Sequence, residues 1–164
     1  MSLSRSNPLP IGSLRPETAA DRPFLERLFA SVRMQEMDLG TWPSALRESF
    51  LASQLEFQSR HYAAAYPDAQ RWVVESGPLA IGRLYIVHGA QDIRVVDLSL
   101  LPTWRGAGLG TVLLERLQQE AAGAGKTLSL NVAMTNPAQR LYQRLGFVET
   151  HQDEVYRHLQ WRSR

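Results

Sequence analysis

The stretch that decides the fold is residues 98–111, LSLLPTWRGAGLGT. An apolar run stops at Pro102, Arg105 follows, and glycine then takes every second position, at Gly106, Gly108 and Gly110, before TVLLERLQ adopts helical spacing. Glycine is a poor choice for a helix start that only has to pack, because each one enlarges the backbone entropy lost on folding. A strand that feeds a glycine turn into a helix instead presents unpaired N–H groups at the positive end of the helix dipole. That is an anion site, most naturally one for phosphate. A Cβ there would keep phosphate oxygens beyond hydrogen-bond reach of the amides. The alternative reading is a tight strand-to-helix turn that binds nothing.

Two other phosphate motifs fail on the same residues. A dinucleotide fingerprint starting at Gly106 needs glycine where Thr111 stands, and the turn follows several strands rather than opening a βαβ unit. GAGKT at 123–127 resembles the end of a P-loop, but the first glycine of that motif falls on Glu120, and the segment leaves a helix for a strand.

Working outward, residues 108–125 place Leu109, Val112, Leu113, Leu117 and Ala121 on one helical face, with Gly123 or Gly125 to end it. KTLSLNVA at 126–133 reads as a strand. In NPAQRLYQRLGF at 136–147, Asn136 is a good cap, Pro137 suits the first helical position, Gln139 has capping-box spacing and Gly146 is a stop. FVETH and VYRHLQW close the chain as a hairpin. Upstream, QRWVVE, AIGRLYIVH and IRVVDLSLL read as consecutive antiparallel strands. Two helices come before them. One holds Phe24, Leu25, Leu28 and Val32 on a stripe behind Thr18 and Asp21 at capping spacing; the other starts near Pro43 and repeats Leu46, Phe50, Leu51, Leu55 and Tyr62. MQEMDLGT between them reads as loop, and residues 11–15 as a first short strand. The order β, α, α, β, β, β, α, β, α, β, β predicts an α/β fold: a mixed, mostly antiparallel sheet of six to seven strands with helices on both faces.

At 164 residues with 44% hydrophobic content, the chain is expected to form one domain over 1–164 with a real core. The formal net charge is only +2 and basic residues are interspersed with acidic ones, which argues against nucleic acid as a partner. Zero cysteine excludes disulfides, thiolate metal sites and a cysteine nucleophile, and suits a cytoplasmic location. No apolar run has the length of a signal core or a membrane span, so no membrane is expected. The four histidines show no metal-ligand spacing, and no metal is expected.

The glycine turn and the later helix together resemble the GNAT superfamily of acyl-CoA-dependent N-acyltransferases. Its pyrophosphate motif is Arg or Gln, two residues, Gly, one residue, then Gly or Ala. It is met by Arg105, Gly106, Ala107, Gly108, Leu109 and Gly110, and the Asn-capped helix carrying Tyr142 and ending in Gly146–Phe147 is similar to the family's second signature. The resemblance implies acetyl-CoA as cosubstrate, lying where a central strand and its parallel neighbour splay apart. Amides around Leu100 and Leu101 would bind the pantetheine arm and polarise the thioester carbonyl, and amides from Arg105 to Thr111 would hold the pyrophosphate. Asn136 would touch the pantetheine arm while capping its helix.

The implied reaction is N-acetyl transfer to an amine of a small molecule or peptide by direct attack, with a homodimer left open. Tyr142 matches the general acid, the alternative being a core tyrosine on the stripe Ala138, Leu141, Leu145. The base is not evident: Arg94 and Val96 stand where relatives place an acid or histidine. Asp97 is a candidate base or orienting carboxylate, placed by strand alternation on the opposite face from those two. Glu36, Asp38, Glu75 and His61 are unranked further candidates. The acidic and aromatic set Gln35, Glu36, Met37, Asp38 and Trp42 reads either as a cation-receiving substrate loop or as a solvated loop. A non-catalytic acyl-CoA-binding or sensing module of the same fold is the alternative function, and a purely structural domain a third.

Overall fold

The computed structural model describes residues 13–136 and 138–164. Residues 11 and 12 of the expected first strand, and Pro137, lie outside the described residues. The elements are β1 (Ser13–Pro16), α1 (Arg22–Met37), α2 (Ser44–Ala65), β2 (Gln70–Ser76), β3 (Leu79–His88), β4 (Asp92–Leu100), α3 (Leu109–Ala124), β5 (Thr127–Ala133), α4 (Gln139–Arg144), β6 (Val148–Gln152) and β7 (Tyr156–Trp161). Seven strands form one sheet in the order β1-β2-β3-β4-β5-β7-β6. Every neighbouring pair is antiparallel except β4 with β5, which is parallel. The mixed sheet and the element order match the expectation.

Each helix explains its place by what it buries. α3 sets Leu109, Leu113, Leu114, Leu117 and Ala121 against Ile86, Ile93, Val95, Leu128 and Leu130 on one sheet face. Leu113, Leu114 and Leu117 are wholly buried, each adding about 1.5–3 kcal/mol of apolar transfer. α1 covers the other face, with Phe24, Leu25 and Leu28 on Val73. Its entry is fixed by Asp21, whose carboxylate accepts from the Thr18 amide at 2.7 Å and from Arg15 at 2.6 and 2.9 Å.

Two expectations about this face need correction. Residues 34–37, expected as loop, continue α1 as helix, and the chain turns off only at Asp38, which adopts a left-handed φ of +48°. In α2 the apolar stripe is shallower than its sequence implies: Leu55 is its buried residue, Leu46 is 56% exposed, and Phe50 packs on Trp42 at 5.1 Å between rings. A helix so lightly buried leans on polar contacts to stay in place.

One irregularity positions the site. Tyr85 pairs with Asp97 but Ile86 pairs with Val95, so Val96 is an extra residue in β4, a β-bulge. Register partners share a face of the sheet. Val95 therefore faces α3 with Ile86, while Asp97 emerges with Tyr85 on the α1–α2 side. Strict alternation would have put Asp97 on the α3 side with Val95; the bulge reverses it. Among the described residues, no helix is long and apolar enough to cross a membrane.

Candidate active site

The glycine turn has two physical explanations within it. Gly106 and Gly108 sit at φ +76° and +86°, where an L side chain is strained, and no atom lies within 4 Å of a Cβ built at either. The space above them is open on this chain's side. Gly110 is ordinary helix, where a Cβ would meet Leu141 Cδ2 at 3.5 Å, an ordinary contact distance, so the fold does not require glycine there. The Arg105 amide is not available: it closes a short 3-10 turn by donating to the Pro102 carbonyl at 3.2 Å. The amides of Gly106 through Thr111 donate to no carbonyl among the described residues. These amides lie where the sequence reading placed an anion cradle, and the engaged Arg105 amide is the one member of that set already taken. The Arg105 guanidinium is a brace rather than a free cation, donating through Nε to the Leu100 carbonyl at 2.9 Å and through Nη1 to Gln35 on α1. Partial burial lowers its pKa.

Beside this cradle the sheet opens. The parallel pairing of β4 with β5 runs from Asp92–Thr127 to Val95–Leu130 and stops there, although β4 continues to Leu100 and β5 to Ala133. The splay thus begins at the bulge. Leu101 donates its amide to the Ile81 carbonyl at 2.8 Å and accepts from the Trp104 amide at 2.9 Å, so it is committed to the fold and does not serve a ligand. Because antiparallel bonding alternates, Leu100 and Leu98 point the other way, into the splay. Of the two residues the sequence reading named, Leu100 is the one whose amide is left facing the splay.

Tyr142 on α4 is 8% exposed and meets Phe147 edge to face at 5.8 Å between rings. Its hydroxyl has no hydrogen-bond partner among the described residues. Burial, reinforced by the charge of Asp97, pushes its pKa up to about 12. Tyr142 thus belongs to the core on the α3 side of the sheet. Asn136 is not the cap that its sequence suggested: α4 starts later, with Ala138 at its N-cap, and Asn136 instead accepts the Ala138 amide at 2.8 Å in the turn before the helix. Gln139 does not close a capping box; its Nε2 donates to the Met134 carbonyl at 2.5 Å.

Asp97 is the centre of a network that sequence reading missed. Its Oδ2 accepts from Arg83 Nη2 at 2.5 Å and from the Tyr62 hydroxyl at 3.1 Å, and its Oδ1 accepts from Ser99 at 2.6 Å. Arg83 also donates to Gln58 at 2.6 Å and lies 4.9 Å from the Tyr85 ring centroid. Burial works against the Arg83 charge, but Asp97 and the tyrosines outweigh it and raise its pKa. Burial and Asp97 raise that of Tyr62. Tyr62, Arg83 and Tyr85 line a cleft of about 590 Å³ under α1 and α2 that also takes in Glu17, Arg22 and Arg71.

The other proposed bases are elsewhere or engaged. Glu75 is paired with Arg15 at 2.9 Å, Glu36 with Arg33 at 3.2 Å, Asp38 makes the left-handed turn after α1, and His61 is exposed beside Tyr62. Of the supposed substrate loop, Gln35 reaches the site only through Arg105.

A family model described as the acetyltransferase (GNAT) family matches residues 31–147, from within α1 through Phe147. The chain belongs to the GNAT acetyltransferase family. The aminoalkylphosphonate N-acetyltransferase of Salmonella typhimurium is 29% identical over 151 residues, covering 90% of this chain and 92% of that one. Among solved structures, the PaiA N-acetyltransferase of Thermoplasma acidophilum in complex with coenzyme A superposes with TM-score 0.67 at 16% identity, over 93% of this chain and 99% of that one. The spermidine N-acetyltransferase of Vibrio cholerae, with CoA and spermine, gives 0.61 at 19% identity, over 92% and 95%. This chain is thus an acyltransferase of GNAT type, with the GNAT fold.

Proposed function

We propose that the chain transfers the acetyl group of acetyl-CoA to an amine by direct attack in a ternary complex. The observation that carries this reading is the convergence on one splay of unpaired amides from two elements, the glycine turn and the β4 edge. The open space over Gly106 and Gly108 fits a diphosphate, and the amides of Gly106–Thr111 would hold it. The thioester supplies an activated carbonyl and a thiol leaving group.

The remaining work falls to this chain's residues. The Leu100 amide donates to the carbonyl oxygen as charge develops there. Tyr142 keeps its proton at neutral pH, as any phenol does, and burial widens that margin, so the hydroxyl is present in its protonated form to donate to the departing thiolate. A primary amine near pKa 10.4 must lose a proton before it attacks. Asp97, with three hydrogen bonds already accepted, orients the acceptor side of the cleft, and water carries that proton out to bulk solvent. The aminoalkylphosphonate and spermidine enzymes differ in acceptor, so neither name transfers to this chain directly.

The occupied state of Asp97 favours a second reading, an acyl-CoA-binding module without turnover. Release of CoA thiol from acetyl-CoA in the presence of polyamines, amino acids, aminoglycosides and peptide N-termini decides between them. Acetylation of one class above the amine-free rate supports the enzyme. Thermal stabilisation by acetyl-CoA with no acetylated product supports the module, and neither effect sinks both.

A further inference from the structure

Three strands lay a cation, an aromatic ring and a carboxylate in line. Arg71 is in register with Tyr85 across β2 and β3, and Tyr85 with Asp97 across β3 and β4. Register partners share a face, and at about 4.8 Å per strand the two ends of this row stand about 10 Å apart at Cα. Arg71 and Tyr85 of this row line the cleft under α1 and α2, and Asp97 stands behind its wall, hydrogen-bonded to the lining residues Tyr62 and Arg83; the volume of about 590 Å³ suits a small molecule rather than a folded partner.

The charges around it are spoken for, with one exception. Arg22 pairs with Glu26 at 3.1 Å and Glu56 at 3.7 Å, and Arg83 with Asp97 at 2.5 Å. Glu17, the acid lining the cleft, accepts from the Tyr85 hydroxyl. Arg71 has no ion pair and no side-chain hydrogen bond among the described residues; its guanidinium lies over the Tyr85 ring, 5.6 Å from the centroid. A guanidinium resting over a ring keeps its N–H donors free, and its planar fork can meet a carboxylate or phosphonate with two parallel hydrogen bonds.

Building on the acetyltransferase reading, we propose that Arg71 receives an anionic group of the acceptor. The acceptor is then a short zwitterion, an amine carrying a carboxylate or a phosphonate, lying along the row with its amine toward Asp97 and the splay. A polyamine would set a second cation against Arg71 and is the wrong class.

The test compares acetylation of β-alanine and 2-aminoethylphosphonate with that of propylamine, ethanolamine and spermidine, in wild type, Arg71→Gln and Arg71→Lys. We expect kcat/KM for at least one anionic amine to exceed the others by about tenfold or more, equivalent to about 1.4 kcal/mol. Arg71→Gln should remove that preference through KM, and Arg71→Lys should restore part of it. The carboxylate and phosphonate arms show which anion is meant. Equal or better use of the neutral amines or spermidine, with KM for the anionic amines unmoved in Arg71→Gln, overturns the proposal while leaving the acetyltransferase intact. If no amine is acetylated, calorimetric titration of the same two anionic amines into CoA-loaded protein decides. Binding lost in Arg71→Gln upholds the Arg71 site without turnover, and no binding to wild type overturns it.

Discussion

Arg83 Nη2 lies 2.5 Å from Asp97 Oδ2, and the two side chains keep only 6% and 10% of their surface exposed. Tyr62 and Gln58, both on α2, complete the pair, so this lightly buried helix is fastened to β3 and β4 through it. Removing one partner strands a buried charge. We expect Arg83→Met and Asp97→Leu each to cost about 3–5 kcal/mol in urea unfolding, and the double variant to cost clearly less than the sum. Additive losses would mean that the two charges are stabilised separately.

Asp21 gives the fold an acid limit. Its hydrogen bonds from Arg15, with help from the Thr18 amide, pull its pKa down to about 2 from 3.8. A group depressed in the folded state contributes stability above its unfolded pKa and loses it as protons bind. The contribution is therefore complete above about pH 5 and fades as pH falls from about 4 towards 2. The urea midpoint of wild type should drop through that window more steeply than that of Asp21→Asn. Parallel curves would show that Arg15 and Asp21 do not matter to stability.

The two kinds of glycine in the turn separate on substitution. Gly108→Val places a branched side chain at φ +86° and into the space over the cradle, costing about 1–2 kcal/mol of backbone strain. The protein should stay folded while acetyl-CoA affinity falls at least about tenfold. Gly110→Ala, whose Cβ meets Leu141 at ordinary contact distance, should leave both nearly unchanged. Unaltered affinity in folded Gly108→Val, measured by calorimetry, would assign the glycines to the turn alone.

Tyr142→Phe retains the ring and its edge-to-face contact with Phe147 while deleting the proton donor. General acid assistance is typically worth about 10²–10⁴ in rate, and because thiols leave fairly readily we expect a fall of at least about tenfold in kcat with acetyl-CoA affinity little changed. Wild-type turnover with chemistry rate-limiting would pass the role to water. Collapse of affinity would make the hydroxyl a ligand for the cosubstrate.

The parts of this fold written in local sequence were readable. The alternating glycines after Pro102 announced the turn, and the switch from period two to helical spacing gave the element order. Asp97 shows where that runs out. Val96 looks like any strand valine, and the bulge there is imposed by pairing with β3, so alternation put the carboxylate on the wrong face. Arg83 reads as a lone charge in an apolar strand; what makes its burial tolerable comes from Asp97, fourteen residues on, and from α2, more than twenty residues back. Residues 34–37 break the apolar stripe of α1, with Gln35 and Glu36 between two methionines that stay exposed, yet α1 continues through them and delivers Gln35 to Arg105. Leu101 was misassigned because only the register with Ile81 tells which way its amide points.

The early end of the β4–β5 pairing leaves the middle of the sheet one hydrogen-bonded neighbour short. Past Val95 and Leu130, the facing backbone edges have no partner strand of their own. A ligand that entered the splay as proposed would complete a ladder that the chain leaves unfinished, and would couple itself to the sheet as one cooperative unit. Amide exchange makes this visible. Leu98 and Leu100 should exchange quickly in the free protein and slow when acetyl-CoA is added, while Ile93, already inside the paired segment, should change little. On the proposed reading, a strand edge that elsewhere would invite aggregation is kept inside the molecule and given over to its cosubstrate.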